Sequence, residues 1–226
     1  MLEAASYGAV ERFAKSYFSC LYTKQQVGTR FGRVDVMGLK IAAGKRDAAP
    51  ELIAIEAKEE GTSFLSAIGQ AYAYRLYAHR CYLAIRKRYS NRFQDDEIDV
   101  AAQLGVGLIE IKRSGCRVIA ESAVYAPKDR YISEILAKMK FFRCALCRGV
   151  YRERDLQNLS NYQVDLSEDG RYRGQLVRAL RNHKNLRWWL FELATERDPG
   201  VETIHDQRCL CKDCLSIFAS LAPEGG

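Results

Sequence analysis

Two short apolar runs separated by one helix constrain the fold of this chain more than any other feature. The runs span residues 52–57 and 82–85, and the segment 62–79 between them repeats apolar residues at three- or four-residue steps. A strand, a helix and a second strand in this order form a crossover, which joins parallel neighbours of one sheet. The sequence therefore predicts a parallel strand pair inside an α/β layer.

The flanking segments extend this unit on both sides. An amphipathic helix is predicted over residues 3–20, and a β run over 29–41 is expected to form a hairpin with 52–57. A short helix near 97–104 and strands at 106–111 and 116–119 follow. The predicted fold is a mixed central sheet with helices on both faces.

The character of the chain changes near residue 127. Helices are expected over 130–142 and 172–195, in a region that also holds clustered cysteines. We predict two domains: residues 1–127 form the α/β core, and residues 128–226 form a helical lobe pinned by cysteine pairs.

The charge of the chain suits a polyanionic partner. A formal net charge of +7 favours nucleic acid without establishing it. No stretch approaches the ~20 consecutive apolar residues of a spanning helix, and the N-terminal segment is too charged for a secretory signal. The expected location is therefore intracellular, in the cytoplasm and away from membranes. A homodimer is left open.

Three charged residues stand out in the predicted hairpin. Glu56 and Lys58 are two residues apart on a β run, so their side chains share one face while Ile53, Ile55 and Ala57 share the other. Asp35 lies between two valines of the preceding run and stands beside Glu56 if the runs pair. Two close carboxylates repel unless a cation lies between them, which favours Mg²⁺ or Mn²⁺.

The residues Val34-Asp35 and Glu56-Ala57-Lys58, together with the order of elements around them, resemble the PD-(D/E)xK superfamily of restriction-endonuclease-like nucleases. The resemblance covers residues 5–125, with Val34 in the place of the proline that often precedes the aspartate. The branch, resolvase-like or another, is left open. The resemblance implies metal-dependent hydrolysis of phosphodiester bonds in nucleic acid. DNA is favoured over RNA, and the choice between them is left open.

The same resemblance implies a role for each site residue. Asp35 and Glu56 would bind the metal with the Ala57 carbonyl, and Lys58 would assist the attacking water. Gln70, on the helix after the Glu-x-Lys strand, would line the site with the nearby Tyr74, although a polar helix face explains both residues equally well. Glu11 of the first helix would add an acidic metal ligand.

The cysteines near the C-terminus predict a second, structural metal. Cys144 and Cys147 form one C-x-x-C pair and Cys211 and Cys214 another, together a tetrahedral thiolate set suited to Zn²⁺. Two further residues are alternative ligands beside the second pair, namely Cys209 and His205. An iron–sulfur cluster is the less favoured occupant.

Two groups of basic residues are candidates for phosphate contacts. One follows the 82–85 run, and the other lies in the C-terminal lobe at helical spacing; they are Arg86, Lys87 and Arg88, and Arg178, Arg181 and Lys184. A solvated helix face explains the second group equally well.

Two other functions fit parts of this pattern. A non-catalytic, zinc-containing nucleic-acid-binding module would keep the fold while Glu56 and Lys58 form a structural ion pair. A thiol redox protein would use the C-x-x-C pairs, although paired clusters favour tightly bound metal. Cleavage that depends on Mg²⁺ or Mn²⁺ separates the nuclease from both.

Overall fold

The computed structural model describes residues 2–41, 50–87, 92–143, 149–158 and 209–211. Described residues up to Met139 form one compact unit, and those from Lys140 onward form another. The first unit continues past residue 127, where the sequence places the domain boundary, and includes one further helix. A division at residue 127 itself stays a prediction.

The described residues of the first unit form six strands of one sheet and four α-helices. The strands are β1 (Tyr22–Thr29), β2 (Gly32–Lys40), β3 (Glu51–Glu59), β4 (Arg80–Arg86), β5 (Gly107–Lys112) and β6 (Gly115–Ala120). The helices are α1 (Leu2–Ser16), α2 (Phe64–Ala73), α3 (Asp95–Leu104) and α4 (Asp129–Lys138), and a 3-10 turn (Tyr74–Leu76) extends α2.

The strands follow chain order across the sheet, from β1 to β6. β1, β2 and β3 are antiparallel neighbours, β3, β4 and β5 are parallel, and β6 returns antiparallel to β5. This mixed sheet confirms the predicted α/β class and the parallel pairing of the 52–57 and 82–85 runs. The carboxyl ends of three parallel strands consequently lie together at one edge.

Each face of the sheet has its own apolar core. Ile53, Ile55 and Ala57 of β3 pack with Val10 and Ala14 of α1. Leu83, Ile85 and Leu108 instead face α2 and α3. Side chains alternate along a strand, so Glu56 and Lys58 share the α2 face with Leu83 and Ile85, their partners in the β3–β4 register.

Several elements differ in length from the sequence prediction. α1 ends at Ser16 rather than near residue 20, because Ser19 adopts a left-handed φ of 58° that a helix cannot continue. The sequence predicted two or three antiparallel strands after α1 but did not locate β1, because the run Lys24-Gln25-Gln26 gives this edge strand little apolar alternation. α4 stops at Lys138, and Lys140 has a φ of 66° before the next strand.

The described part of the second unit consists of short strands and a 3-10 turn (Glu153–Asp155). β7 (Phe141–Arg143) pairs antiparallel with β8 (Val150–Arg152), and β9 (Leu156–Asn158) pairs antiparallel with β10 (Cys209–Cys211). The helix predicted over 172–195 lies outside the described residues. No helix among the described residues has the length and apolar character needed to cross a membrane.

Candidate active site

The two predicted acidic residues lie opposite one another on neighbouring strands. In the β2–β3 register Val36 pairs with Ile55, so the next position along places Asp35 across from Glu56. Both side chains are buried, with exposures of 7% for Asp35 and 3% for Glu56. Buried carboxylates require hydrogen bonds or a cation to offset the loss of water.

Asp35 is held by two donors. The Gln26 side-chain amide donates to Oδ1 at 2.7 Å, and the backbone N–H of Ala57 donates to Oδ2 at 2.9 Å. Gln26 lies opposite Asp35 on β1, where its backbone has a left-handed φ of 53°. The Ala57 bond ties the Asp35 carboxylate to the Glu-x-Lys segment itself.

Glu56 is bound by two side chains from the same region. The Lys58 ammonium lies 2.8 Å from Oε1. The Tyr74 hydroxyl lies 2.6 Å from Oε2 and 2.7 Å from the Arg33 carbonyl oxygen. A phenol has one proton, so it donates to one of these two oxygens at a time. Tyr74 thereby couples Glu56 to the backbone of β2.

Burial disfavours the ionised form of Glu56. Burial raises the pKa of Glu56 above its ordinary value, the hydrogen bonds from Lys58 and Tyr74 offset part of that rise, and the charge of Asp35 adds to it. Burial and the neighbouring Glu56 also raise the pKa of Tyr74, so its hydroxyl stays protonated. A cation placed between the carboxylates would relieve this repulsion.

The donor set fits a hard divalent ion. Carboxylate oxygens are the ligands that Mg²⁺ and Mn²⁺ prefer, and two of them meet here beside the backbone of Ala57. Over the described ranges, no three or more His, Cys, Asp or Glu side chains converge. An ion bound by Asp35 and Glu56 would therefore take its other ligands from backbone, water or substrate.

Tyr74→Phe tests how the cluster controls the charge of Glu56. The hydrogen bond from Tyr74 favours the ionised carboxylate, so its loss should raise the pKa of Glu56 further. We expect a divalent ion to bind about 10- to 100-fold more weakly, with the deficit largest at acidic pH. Isothermal titration of Mn²⁺ across a pH series measures this, and an unchanged pH dependence would show that Tyr74 leaves Glu56 unaffected.

The other two residues implied by the resemblance, Glu11 and Gln70, lie on α1 and α2. The Glu11 carboxylate accepts a hydrogen bond of 2.6 Å from the Gln25 amide. Gln70 is exposed on α2, one turn before Tyr74. Their roles as metal ligand and catalytic residue stay predictions.

Two of the basic candidates are held by carboxylates in the first unit. The Arg86 guanidinium contacts Glu59 at 3.1 Å and Ser6 at 2.8 Å. The Lys87 ammonium lies 3.4 Å from Glu97 and above the ring of Phe93. Four other basic candidates lie outside the described residues: Arg88, Arg178, Arg181 and Lys184.

The zinc candidates are described only in part. Cys144, Cys147, His205 and Cys214 lie outside the described residues, whereas Cys209 and Cys211 belong to β10. Cys144 follows directly after β7. The four-cysteine zinc site therefore stays a prediction.

Two polar residues of this face were missed by the sequence interpretation. Gln26 gave no signal, because nothing in a polar edge strand distinguishes a glutamine that binds an aspartate. Glu110 did give a signal in the sequence, because it interrupts the apolar run of β5 as Asp35 interrupts the apolar run of β2. Glu110 is buried in register with Ile85 and Lys58, and Lys112 and Arg117 hold one of its oxygens at 3.2 and 3.1 Å.

Comparison with known proteins adds little to this geometry. No protein-family model and no curated protein matches the chain. A solved structure of a Silicibacter pomeroyi protein of unknown function, SPO1766, is similar at 18% identity and a TM-score of 0.40. That similarity covers 57% of this chain and 77% of the other.

Proposed function

We propose that this chain is a divalent-metal-dependent nuclease with a restriction-endonuclease-like core, which hydrolyses phosphodiester bonds in nucleic acid, DNA in preference to RNA. One observation carries the proposal: Asp35, Glu56 and Lys58 share a buried cluster near the carboxyl end of a central strand. Two carboxylates on a rigid sheet can hold a divalent ion, and an amine beside them can offset charge on a phosphate, so this set of groups suits metal-assisted phosphodiester hydrolysis.

Each residue of the cluster has a distinct task in this proposal. Asp35 and Glu56 hold the ion, and the donors Gln26 and Ala57 N–H fix the orientation of Asp35. When bound, Mg²⁺ or Mn²⁺ lowers the pKa of a coordinated water and offsets charge on the phosphate. Lys58 pairs with Glu56 at 2.8 Å, which places its ammonium where it can orient the attacking water or neutralise the developing negative charge.

A substrate panel tests the proposal directly. Labelled single-stranded, duplex and branched DNA, and RNA of the same sequences, are incubated with purified protein in Mn²⁺, Mg²⁺ or EDTA. We expect cleavage of DNA in Mn²⁺ and none in EDTA. Absence of cleavage across the panel, with DNA binding retained, would establish the non-catalytic alternative instead.

That alternative has its own support in the structure. Each oxygen of Asp35 and Glu56 already has a hydrogen-bond or ion-pair partner, and both side chains are nearly inaccessible. A nucleic-acid-binding module with a structural ion pair would have the same contacts. Divalent-ion titration separates the two functions, because only the nuclease needs Glu56 to exchange Lys58 for a metal.

We also propose a structural zinc site formed by Cys144, Cys147, Cys211 and Cys214, with Cys209 or His205 as the alternative ligand. We expect about one zinc per chain by elemental analysis, as a closed four-ligand site requires. The variant Cys144→Ser should lose this zinc, whereas Cys116→Ser, at a half-buried position in the first unit, should retain it. If the analysis instead finds iron, together with visible absorbance, the cysteines hold an iron–sulfur cluster and not zinc.

A further inference from the structure

The turn between β1 and β2 presents an aromatic ring to solvent. The two strands are joined by two residues, Arg30 and Phe31, and the Phe31 side chain is 69% exposed. The Thr29 hydroxyl accepts from the Phe31 N–H at 3.3 Å and donates to the Gly32 carbonyl at 3.1 Å. These bonds fix the backbone of the turn, so the ring projects from an ordered support.

This hairpin tip is tied to the acidic cluster through both of its strands. On β1, Gln26 donates to Asp35, and on β2, the Arg33 carbonyl lies 2.7 Å from the Tyr74 hydroxyl. Phe31 of the turn precedes Asp35 of β2 by four residues, a separation of at most about 13 Å at the rise of an extended chain. A nucleic acid held at Asp35 therefore has nucleotides within reach of the ring.

The charge around the ring matches a nucleic acid. From Val27 to Val34 the charged residues are Arg30 and Arg33, both positive. The Arg30 guanidinium lies 5.8 Å from the centre of the Phe31 ring. An aromatic face beside guanidinium groups is the combination that binds a base by stacking and its phosphate by charge.

We infer that the hairpin tip stacks Phe31 on an unpaired base close to the scissile phosphate, so that the substrate is single-stranded nucleic acid or a single-stranded segment within a duplex. This inference rests on the proposed nuclease function and specifies its substrate. Stacking one base on an aromatic side chain strengthens binding about 5- to 150-fold. Unstacking a base step of a duplex costs at least as much free energy as stacking one base on Phe31 returns. The ring therefore does not strengthen binding to an intact duplex.

The experiment compares three variants with the wild type in EDTA, where no cleavage is expected. Phe31→Ala removes the ring, and Phe31→Tyr retains it. Leu21→Ala is the matched control, since Leu21 is 63% exposed just before the opposite end of β1. Binding is measured by the fluorescence of a single 2-aminopurine in an oligothymidylate, whose emission is quenched on stacking, and by competition with a duplex. Cleavage in Mn²⁺ is assayed in parallel, and thermal melting verifies folding.

We expect Phe31→Ala to bind the single strand about 5- to 150-fold more weakly and to lose both the fluorescence quenching and the preference for single strand over duplex. Phe31→Tyr and Leu21→Ala should behave as the wild type. If Phe31→Ala binds single strand as the wild type does while Mn²⁺-dependent cleavage persists, the stacking role is overturned and the nuclease stands. If the wild type neither binds nor cleaves any nucleic acid, both proposals fall.

Discussion

Glu56→Gln should abolish metal-dependent cleavage, with a loss on the order of 10³-fold or more in kcat/KM. Gln keeps the shape of Glu56 and accepts a hydrogen bond from Tyr74, but it removes the charge that binds a divalent ion. Cleavage of a labelled single-stranded DNA in Mn²⁺ measures the effect. If the kcat/KM of the variant is within tenfold of the wild-type value, Glu56 does not belong to the catalytic site.

The stability of Glu56→Gln distinguishes a functional carboxylate from a structural one. Because the folded-state pKa of Glu56 is raised, its ionisation opposes folding: stability is greatest below the ordinary pKa and falls as pH rises through the folded value. Without metal, Glu56→Gln should therefore melt no lower than the wild type at neutral pH. If Glu56→Gln instead melts at a much lower temperature than the wild type at neutral pH, the Glu56 carboxylate stabilises the fold.

A divalent ion should reverse this order. An ion at 100 times its Kd stabilises the wild type by about 2.7 kcal/mol, whereas Glu56→Gln lacks the second carboxylate and should gain little. Glu51→Gln is the matched control on the same strand: Glu51 pairs with Arg80 and Lys40 at the other end of β3. It should retain the ion-dependent rise in melting temperature, which differential scanning fluorimetry records.

The sequence predicted the centre of this fold better than its edges. The 52–57 and 82–85 runs are apolar because both faces of the central strands are covered, so their pattern indicated a parallel buried pair. β1 contacts one neighbour through its backbone and carries polar side chains, and it left no comparable pattern. Tertiary context, rather than local propensity, makes that segment a strand.

The candidate site follows the same rule. Glu56 and Lys58 could be placed on one face because a strand has a period of two, and Asp35 could be placed beside them once the hairpin was assumed. The resemblance indicated Tyr74 as a tyrosine near the site, but the hydrogen-bond partners of Tyr74 and Gln26 could not be predicted. Tyr74 reaches the Arg33 carbonyl across 41 residues of sequence, and the Gln26 bond requires a left-handed backbone at a non-glycine residue. Neither has a signature in a single sequence.

Lys58→Met should separate catalysis from metal binding. Methionine keeps the length and much of the volume of the side chain but removes the ammonium that lies 2.8 Å from Glu56. We expect kcat to fall about 10²- to 10³-fold in saturating Mn²⁺, the scale of losing one charged group that acts on the developing transition state. Single-turnover cleavage measures the chemical step apart from binding.

Metal binding should survive this substitution, because the divalent ion takes the place of the lost ammonium beside Glu56. Without metal, the pKa of Glu56 should rise further, since Lys58 lowers it in the wild type. The rise in melting temperature on adding Mn²⁺ should consequently be as large as in the wild type, or larger. Lys40→Met is the matched control, because Lys40 forms a comparable pair with Glu51 at 3.1 Å and should retain full cleavage. Loss of both cleavage and Mn²⁺ binding in Lys58→Met would show that the lysine maintains the cluster and does not act on the substrate.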